Sequence, residues 1–219
     1  TRNDFLQLLI DTAKEVSDDP KSEFNEKESD GITSVYGEVH EEVIVALKSS
    51  KGKLTYEALQ NIKYLDNIIS ETLRLFPPGV RLERRAVTDY KLGETGILYL
   101  RNDRHCSAYA MHRDPELFPD PEKFDPDRFT PEERAKRDPY AYMPFGAGPR
   151  NCIGMRFAIM EIKVCLIYVI ANFKINRCIK TKVPLEYMIA TGSLTTQRYN
   201  AALERRKDNP LVNERRCDE

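Results

Sequence analysis

The ten residues Phe145-Gly146-Ala147-Gly148-Pro149-Arg150-Asn151-Cys152-Ile153-Gly154 constrain this chain more than any other stretch. Two of their three glycines and one proline precede Cys152 and forbid a regular helix up to it, and a long apolar run follows directly. The cysteine is therefore expected on a shaped turn at a helix N-terminus. Backbone N–H groups and the positive end of the helix dipole favour thiolate over thiol there. An arginine stands two residues away. A thiolate in that setting suits a soft metal that arrives with an anionic organic ligand of its own, and iron in haem is the candidate.

Composition narrows the alternatives. The chain has 219 residues, 41% hydrophobic and 32% charged, which reads as globular, and a net charge of −1 that offers no whole-chain basic field for nucleic acid. Its five cysteines, at 106, 152, 165, 178 and 217, are irregularly spaced with no CxxC pair. That argues against a disulfide scaffold or a zinc ribbon and suits a reducing compartment. The longest apolar run, Val164 to Ala171, has eight residues, short of the roughly 20 a spanning helix needs. The chain opens on Thr1, so an upstream part is expected to be missing.

Periodicity and breakers predict helices over Asp4–Val16, Gly37–Lys48, Thr55–Ile62 and Leu65–Phe76, the last with Leu65, Ile68, Ile69 and Thr72 inward and stopped by Pro77 and Pro78. The acidic stretch 17–31 reads as a linker. Glycine-punctuated β-type runs at Val80–Leu82, Tyr90–Leu92 and Ile97–Leu100 predict a small hairpin sheet. Residues 112–144 hold seven prolines and should be ordered by packing. The helix after Cys152 should run to about Asn172 and be central, being apolar nearly all round. Short strands and a turn near Thr191-Gly192-Ser193 follow, then a charged tail. The expected class is mainly α with small β-hairpin sheets (α+β), divided as 1–35, 36–207 and 208–219.

Phe145-x-x-Gly148-x-Arg150-x-Cys152-x-Gly154 resembles the haem-binding signature of the cytochrome P-450 family. Glu71-Thr72-Leu73-Arg74, just before a proline stop, resembles the family's E-x-x-R on its K helix. Phe124-Asp125-Pro126-Asp127-Arg128-Phe129 resembles its P-E-R-F element, with Asp127 where the family has glutamate. Order and spacing agree over most of 36–207, and ETLRLFPP, RLER, YAMHRDPE and PFGAGPRNCIGMRFA are most like the animal family-3 type. The chain is identified as a member on these motifs, and the expected fold is a partial cytochrome P-450 fold.

The resemblance implies haem b with Cys152 as the axial iron ligand, whose thiolate pushes electron density onto iron and favours O–O cleavage. It implies that Phe145 shields the sulfur, that Gly148 shapes the turn, and that Gly154 lets the next helix approach the macrocycle. Arg150 and Arg84 would pair with the propionates, since a planar guanidinium suits a carboxylate. Glu71, Arg74 and Arg128 would form a buried structural triad behind the cysteine loop. Pro77, Pro78, Val80, Leu82, Gly192 and Leu194 would face an apolar substrate. Arg113, Lys123, Arg128, Arg134, Lys136, Arg137, Arg156 and Lys163 would form a positive face for an acidic electron donor. The partners implied are NADPH–cytochrome P-450 reductase, supplying electrons from NADPH, and cytochrome b5, at the endoplasmic reticulum membrane. His112, before Arg-Asp-Pro, reads as a capping or packing residue rather than a ligand; His40 and His105 stand in no recognisable motif. Cys106, Cys165, Cys178 and Cys217 read as structural.

The sequence also departs from the family pattern. The motif A-G-x-[D/E]-T-[T/S] of the family's distal I helix is absent; Gly192-Ser193-Leu194-Thr195-Thr196 has no acid before the threonine. The acidic linker runs almost directly into Val39-His40-Glu41-Glu42, which resembles the helix after the I helix. No residue is therefore assigned a catalytic role at the oxygen. Residues 97–107 do not read like the family's strand with its P-K-G turn, as a local frame slip would produce. The expected function is a haem-thiolate monooxygenase acting on small apolar substrates such as xenobiotics, steroids or fatty acids. The alternatives are a non-catalytic haem-binding fragment, or a helical interaction module with Cys152 as plain core.

Overall fold

The computed structural model describes residues 30–99, 103–176, 178–181, 187–190, 193–196, 200–207 and 211. The expected helix Asp4–Val16, most of the acidic linker, Cys217, the tail beyond 211, and Thr191 and Gly192 lie outside the described residues. The chain divides into two compact units, one formed by residues 1–66, 156–186 and 196–219, the other by 67–155 and 187–195.

The first unit opens with α1 (Asp30–Ser49), which begins well before the expected Gly37. Val39, Val43 and Leu47 recur every fourth residue and are buried, the stripe that gives this helix its inner face. Gly52, at φ 80°, closes the C-terminus by donating its N–H to Leu47 O at 2.8 Å. Helix α2 (Tyr56–Asn61) is capped by Thr55, whose hydroxyl accepts from the Ala58 N–H.

Helix α3 (Lys63–Leu75) follows with no capping side chain at Ile62. The acceptor comes from α1 instead: the Glu42 carboxylate takes the N–H groups of Lys63, Tyr64 and Leu65 at 2.8, 3.1 and 3.3 Å, an anion at the positive helix end. The first turn of α3 belongs to the first unit and the remainder to the second. Of its expected inward face, Leu65 and Ile69 are buried. Thr72 is exposed and returns its hydroxyl to Ile68 O at 2.8 Å, while Glu71, Arg74 and Leu75 are buried.

In the second unit β1 (Leu82–Arg85) pairs antiparallel with β4 (Asp103–Cys106), Leu82 opposite Cys106 and Arg84 opposite Arg104. Between them β2 (Tyr90–Lys91) and β3 (Leu98–Tyr99) form a separate hairpin. The expected single hairpin sheet is thus two ladders. The proline-rich segment contains more helix than its composition suggests. Ser107 caps α4 (Ala108–Met111), Asp125 caps a 3₁₀ turn at Pro126–Phe129, and Thr130 caps α5 (Pro131–Lys136). Phe118, Phe129 and Ala141 form its buried core with Leu117 and Tyr142 against them, so packing orders the segment together with its own local hydrogen bonds.

Helix α6 (Met155–Asn172) lies in the first unit from Arg156 onward. It is less central than its composition implies: Ile167, Ile170 and Ala171 are buried, but Phe157 and Tyr168 are exposed. Strand β5 (Phe173–Asn176) pairs antiparallel with β8 (Ala202–Arg205), and Tyr36 Oη donates to Phe173 O at 2.6 Å. In the second unit β6 (Tyr187–Ala190) pairs with β7 (Ser193–Thr196). The architecture is helix-rich with small antiparallel sheets, as expected. No helix among the described residues is long and apolar enough to cross a membrane.

Lys163 on α6 corrects one expectation. It is buried rather than part of a charged face. Its Nζ donates to Leu59 O at 2.5 Å and Ile62 O at 3.2 Å, closing the C-terminus of α2, and pairs with Asp66 at 2.9 Å. Lys163→Met keeps the aliphatic stem but strands two carbonyls. Hydrogen bonds from charged groups are worth about 1.5–3 kcal/mol, so this variant should lower the urea midpoint by that order, and Arg156→Met on the exposed face should not.

Candidate functional site

The turn before α6 places Cys152 as its sequence implies. Gly146 and Gly148 sit at φ 77° and 79°, left-handed conformations that other residues avoid. They fold the segment back so that the Cys152 N–H donates to Phe145 O at 2.9 Å, and the Asn151 N–H to Gly148 O at 3.1 Å. The Met155 N–H donates to Cys152 O at 3.3 Å as α6 begins. Cys152 is exposed, so it is not the core residue that the helical-module alternative requires. A Cβ on Gly154 would lie 4.0 Å from Cys152 Sγ, so the small residue borders the sulfur. Phe145 is half-buried in the same turn.

Arg84 reaches this turn from β1. A Cβ on Gly146 would meet Leu82 Cδ2 at 3.7 Å and Arg84 Nη2 at 4.0 Å. Arg84 is exposed and donates to Glu83 O at 2.7 Å; Arg150 is exposed in the turn itself. Ile153 is also fully exposed beside the sulfur in sequence. No three His, Cys, Asp or Glu side chains among the described residues gather into a cage for a bare metal ion. The donor set is therefore one soft sulfur, with cations and apolar surface around it. Haem fits that set: it brings four nitrogen ligands, two carboxylates that suit guanidinium groups, and a flat apolar ring.

Behind the turn, Glu71 and Arg74 are both fully buried and lie at i,i+3 on α3. Arg74 Nε donates to Glu71 Oε2 at 2.7 Å and Nη2 to Oε1 at 2.9 Å, the bidentate geometry in which this pair is strongest. Arg128 completes the triad as a near neighbour rather than a hydrogen-bond donor, with Nε 3.6 Å from Glu71 Oε1. Its Nη2 donates to Asp120 O at 3.0 Å. The triad also clasps backbone. Glu71 Oε1 accepts the Asp125 N–H at 2.9 Å, and Arg74 donates to His112 O at 2.8 Å and Lys123 O at 3.3 Å. These backbone bonds hold the proline-rich segment to α3, while Arg128 Nε stays buried without a hydrogen-bond partner.

Of the expected substrate-facing residues, Pro77 is buried, Pro78 exposed, and Val80, Leu82 and Leu194 half-buried. An isolated bridge joins Gly79 to Ser193, which brings these two distant segments together; Gly192 lies outside the described residues. The expected positive face is much reduced. Arg128 and Lys163 are taken into buried clusters. Arg113 pairs with Glu122 at 3.1 Å and stacks 4.0 Å above Tyr109. Arg134 donates to Phe129 O and Ser70, and Arg137 stacks 4.4 Å over Phe118. Lys123, Lys136 and Arg156 stay exposed.

Sequence reasoning underrated His112. The cap was anticipated: its N–H donates to Ala108 O. Its side chain also accepts the Met143 N–H on Nε2 at 2.9 Å, which no local pattern signals. His105 likewise has a neighbour, Glu83, at 3.4 Å. Burial strips water from the charged imidazolium and lowers the His112 pKa from 6.5 to about 4; a hydrogen bond with the Arg74 backbone opposes this, and the nearby Arg74 and Arg113 guanidinium groups add to it. The unfolded chain binds this proton below pH 6.5 and the folded chain only near 4. The stability it contributes is complete above pH 6.5 and is lost as pH falls toward 4. Urea midpoints between pH 7 and 4 should decline more steeply for the wild type than for His112→Gln, by up to about 1.4 kcal/mol per pH unit.

Comparison with known proteins gives a consistent answer. The sequence model of the cytochrome P450 family matches residues 33–203. The chain is similar to "Probable cytochrome P450 6a13" of Drosophila melanogaster, with 43% identity over 157 residues, 71% of this chain and 32% of that protein. It is also similar to "Cytochrome P450 3A25" of Mus musculus (44% over 138 residues, 63% of this chain, 27% of that protein). "Cytochrome P450 3A29" of Sus scrofa matches at 35% over 220 residues, 89% of this chain and 43% of that protein. The chain spans less than half the length of these curated relatives.

Proposed function

Because this chain belongs to the cytochrome P450 family, we propose that it is the haem-binding portion of a haem-thiolate monooxygenase. The reaction is RH + O2 + 2 e⁻ + 2 H⁺ → ROH + H2O, on small apolar substrates. The observation that carries this reading is the exposed Cys152 thiol on a two-glycine turn, with Arg84 against that turn and a buried ion pair in the same unit.

Haem, when bound, supplies the oxygen activation and the redox chemistry. The residues of this chain hold and shield it. Cys152 would provide the thiolate that holds the iron. Gly146 and Gly148 set the turn, and Gly154 keeps the approach to the sulfur open. Arg84 and Arg150 pair with the two propionates, and Phe145 excludes water from the sulfur. Glu71, Arg74 and Arg128 fix the segment leading to the turn and touch no reacting atom. Pro77, Pro78, Val80, Leu82, Gly192 and Leu194 give the substrate side an apolar lining. Electrons come from NADPH through a flavoprotein reductase at the endoplasmic reticulum membrane, with cytochrome b5 as a second donor. Residues 36–207 are the haem-binding portion.

A second reading, a haem-thiolate binder without turnover, is favoured by one observation. The match to the pig relative runs over 220 positions yet covers only 89% of this chain, so that relative carries residues inside the matched region that this chain lacks. A missing oxygen-handling helix would fit. Water then reaches the open side of the haem, and electrons leak to reduced oxygen species. Labelled O2 separates the readings in a reductase-supported assay with NADPH. Label in a hydroxylated product supports the first. NADPH consumption without labelled product, alongside a thiolate-type ferrous–CO spectrum, supports the second. Neither spectrum nor product would overturn both.

A further inference from the structure

We infer that His112 is a positioning residue for the turn that presents Cys152: its uncharged imidazole holds the Met143 amide and so ties the buried Glu71–Arg74 pair to the loop that ends at the thiol. The link itself rests on geometry; only its consequence for an iron ligand rests on the haem reading.

The connection is continuous. On one side Arg74, locked to Glu71 through Nε and Nη2, donates from Nη1 to His112 O at 2.8 Å. On the other, His112 Nε2 accepts the Met143 N–H at 2.9 Å. Met143 O then accepts the Gly146 N–H at 3.1 Å, and Phe145 O accepts the Cys152 N–H at 2.9 Å. Both backbone polar groups of Met143 are therefore held, the N–H by the imidazole and the carbonyl by the turn. Pro144 follows and cannot donate, so Met143 is the last amide before Phe145 that an outside group can fix.

The imidazole is itself tightly placed. It is fully buried, with the Phe118 ring edge-on at 6.3 Å and the Tyr142 ring tilted at 5.3 Å. Tyr142 is anchored in turn through its hydroxyl to Ser70 O at 3.0 Å. Accepting at Nε2 puts the proton on Nδ1, which makes no full hydrogen bond but is favoured by the backbone of Arg74. Protonating Nε2 would set two donors against each other. Arg74 from α3 and Arg113 next in the chain are the charged groups that oppose this, and Tyr142 is the other titratable group against the ring.

Backbone hydrogen exchange on the haem-free full chain tests the link. In His112→Leu, amides from Met143 to Cys152 should exchange about tenfold faster, the worth of one buried hydrogen bond. In His112→Gln, whose side-chain oxygen can replace the acceptor, they should stay within about twofold. Helix Lys63–Leu75 should keep its protection in both. Unchanged exchange in a folded His112→Leu, or a His112→Gln that behaves like the leucine variant, overturns the proposal. Nitrogen NMR of the wild type near neutral pH decides it without any variant: a bare Nε2 with the proton on Nδ1 is expected, and a protonated Nε2 refutes the link. In the hemin-loaded chain, His112→Leu should shift part of the ferrous–CO absorbance from the thiolate-ligated band to that of a protonated or displaced thiol, and His112→Gln should not. Because exchange needs no haem, the link can fail while haem binds, and haem can fail to bind while the link stands.

Discussion

Glu71→Ala is expected to cost about 3–5 kcal/mol, enough to unfold the second unit at moderate urea. Glu71 is wholly buried, and so is the Arg74 guanidinium it neutralises. The carboxylate accepts two hydrogen bonds from Arg74 and one from the Asp125 amide, and faces Arg128 at 3.6 Å. Without it, two guanidinium groups confront each other in a site that water does not reach, and an amide is left unmade. The cost is that of the uncompensated charge more than of the lost attraction, so Glu71→Ala combined with Arg74→Met should recover much of the loss. Removing an exposed partner such as Glu83, paired with Arg81 at 2.7 Å with both side chains about half exposed, should cost under about 1 kcal/mol. Urea unfolding followed by circular dichroism reads all three. A Glu71→Ala midpoint within about 1 kcal/mol of the wild type would mean that the pair is not buried in solution.

Local features of this architecture were legible from sequence because their causes are local. Thr55 announces α2, Pro77 and Pro78 end α3, and the i,i+3 spacing of Glu71 and Arg74 puts both on one face. The glycines before Cys152 demand the positive φ values that Gly146 and Gly148 adopt. What sequence missed depends on groups far apart in the chain. Glu42 caps α3 across some twenty residues, and the only hint was that Ile62 offers no acceptor of its own. Lys163 looks like one more surface cation, yet it closes a helix a hundred residues earlier. Thr72 and Glu71 compete for the same face of α3, and a hydrophobicity pattern chooses the threonine because it does not value a paired carboxylate. The arginines of the proline-rich segment were counted as free charge, whereas Arg134 and Arg137 lie over the rings of Phe129 and Phe118. His112 carried the weakest signal, since nothing in Met-His-Arg-Asp-Pro points to an amide thirty-one residues away.

The second large effect concerns Cys152. As the proposed iron ligand, its loss should weaken hemin binding by more than the roughly 10–100-fold typical of losing a mere supporting residue, and should remove the thiolate signature entirely. Cys106, Cys165 and Cys178 stand in no comparable turn, and their alanine variants should leave both unchanged. Arg84→Ala and Arg150→Ala should weaken hemin binding while the signature persists, because a propionate partner holds the macrocycle without touching iron. The most direct measurement is the ferrous–CO spectrum of the hemin-loaded chain beside its Cys152→Ala counterpart. A long-wavelength thiolate band in the wild type that vanishes with the sulfur is the predicted result. A folded chain that shows no such band, or that shows the same band without Cys152, would contradict the account.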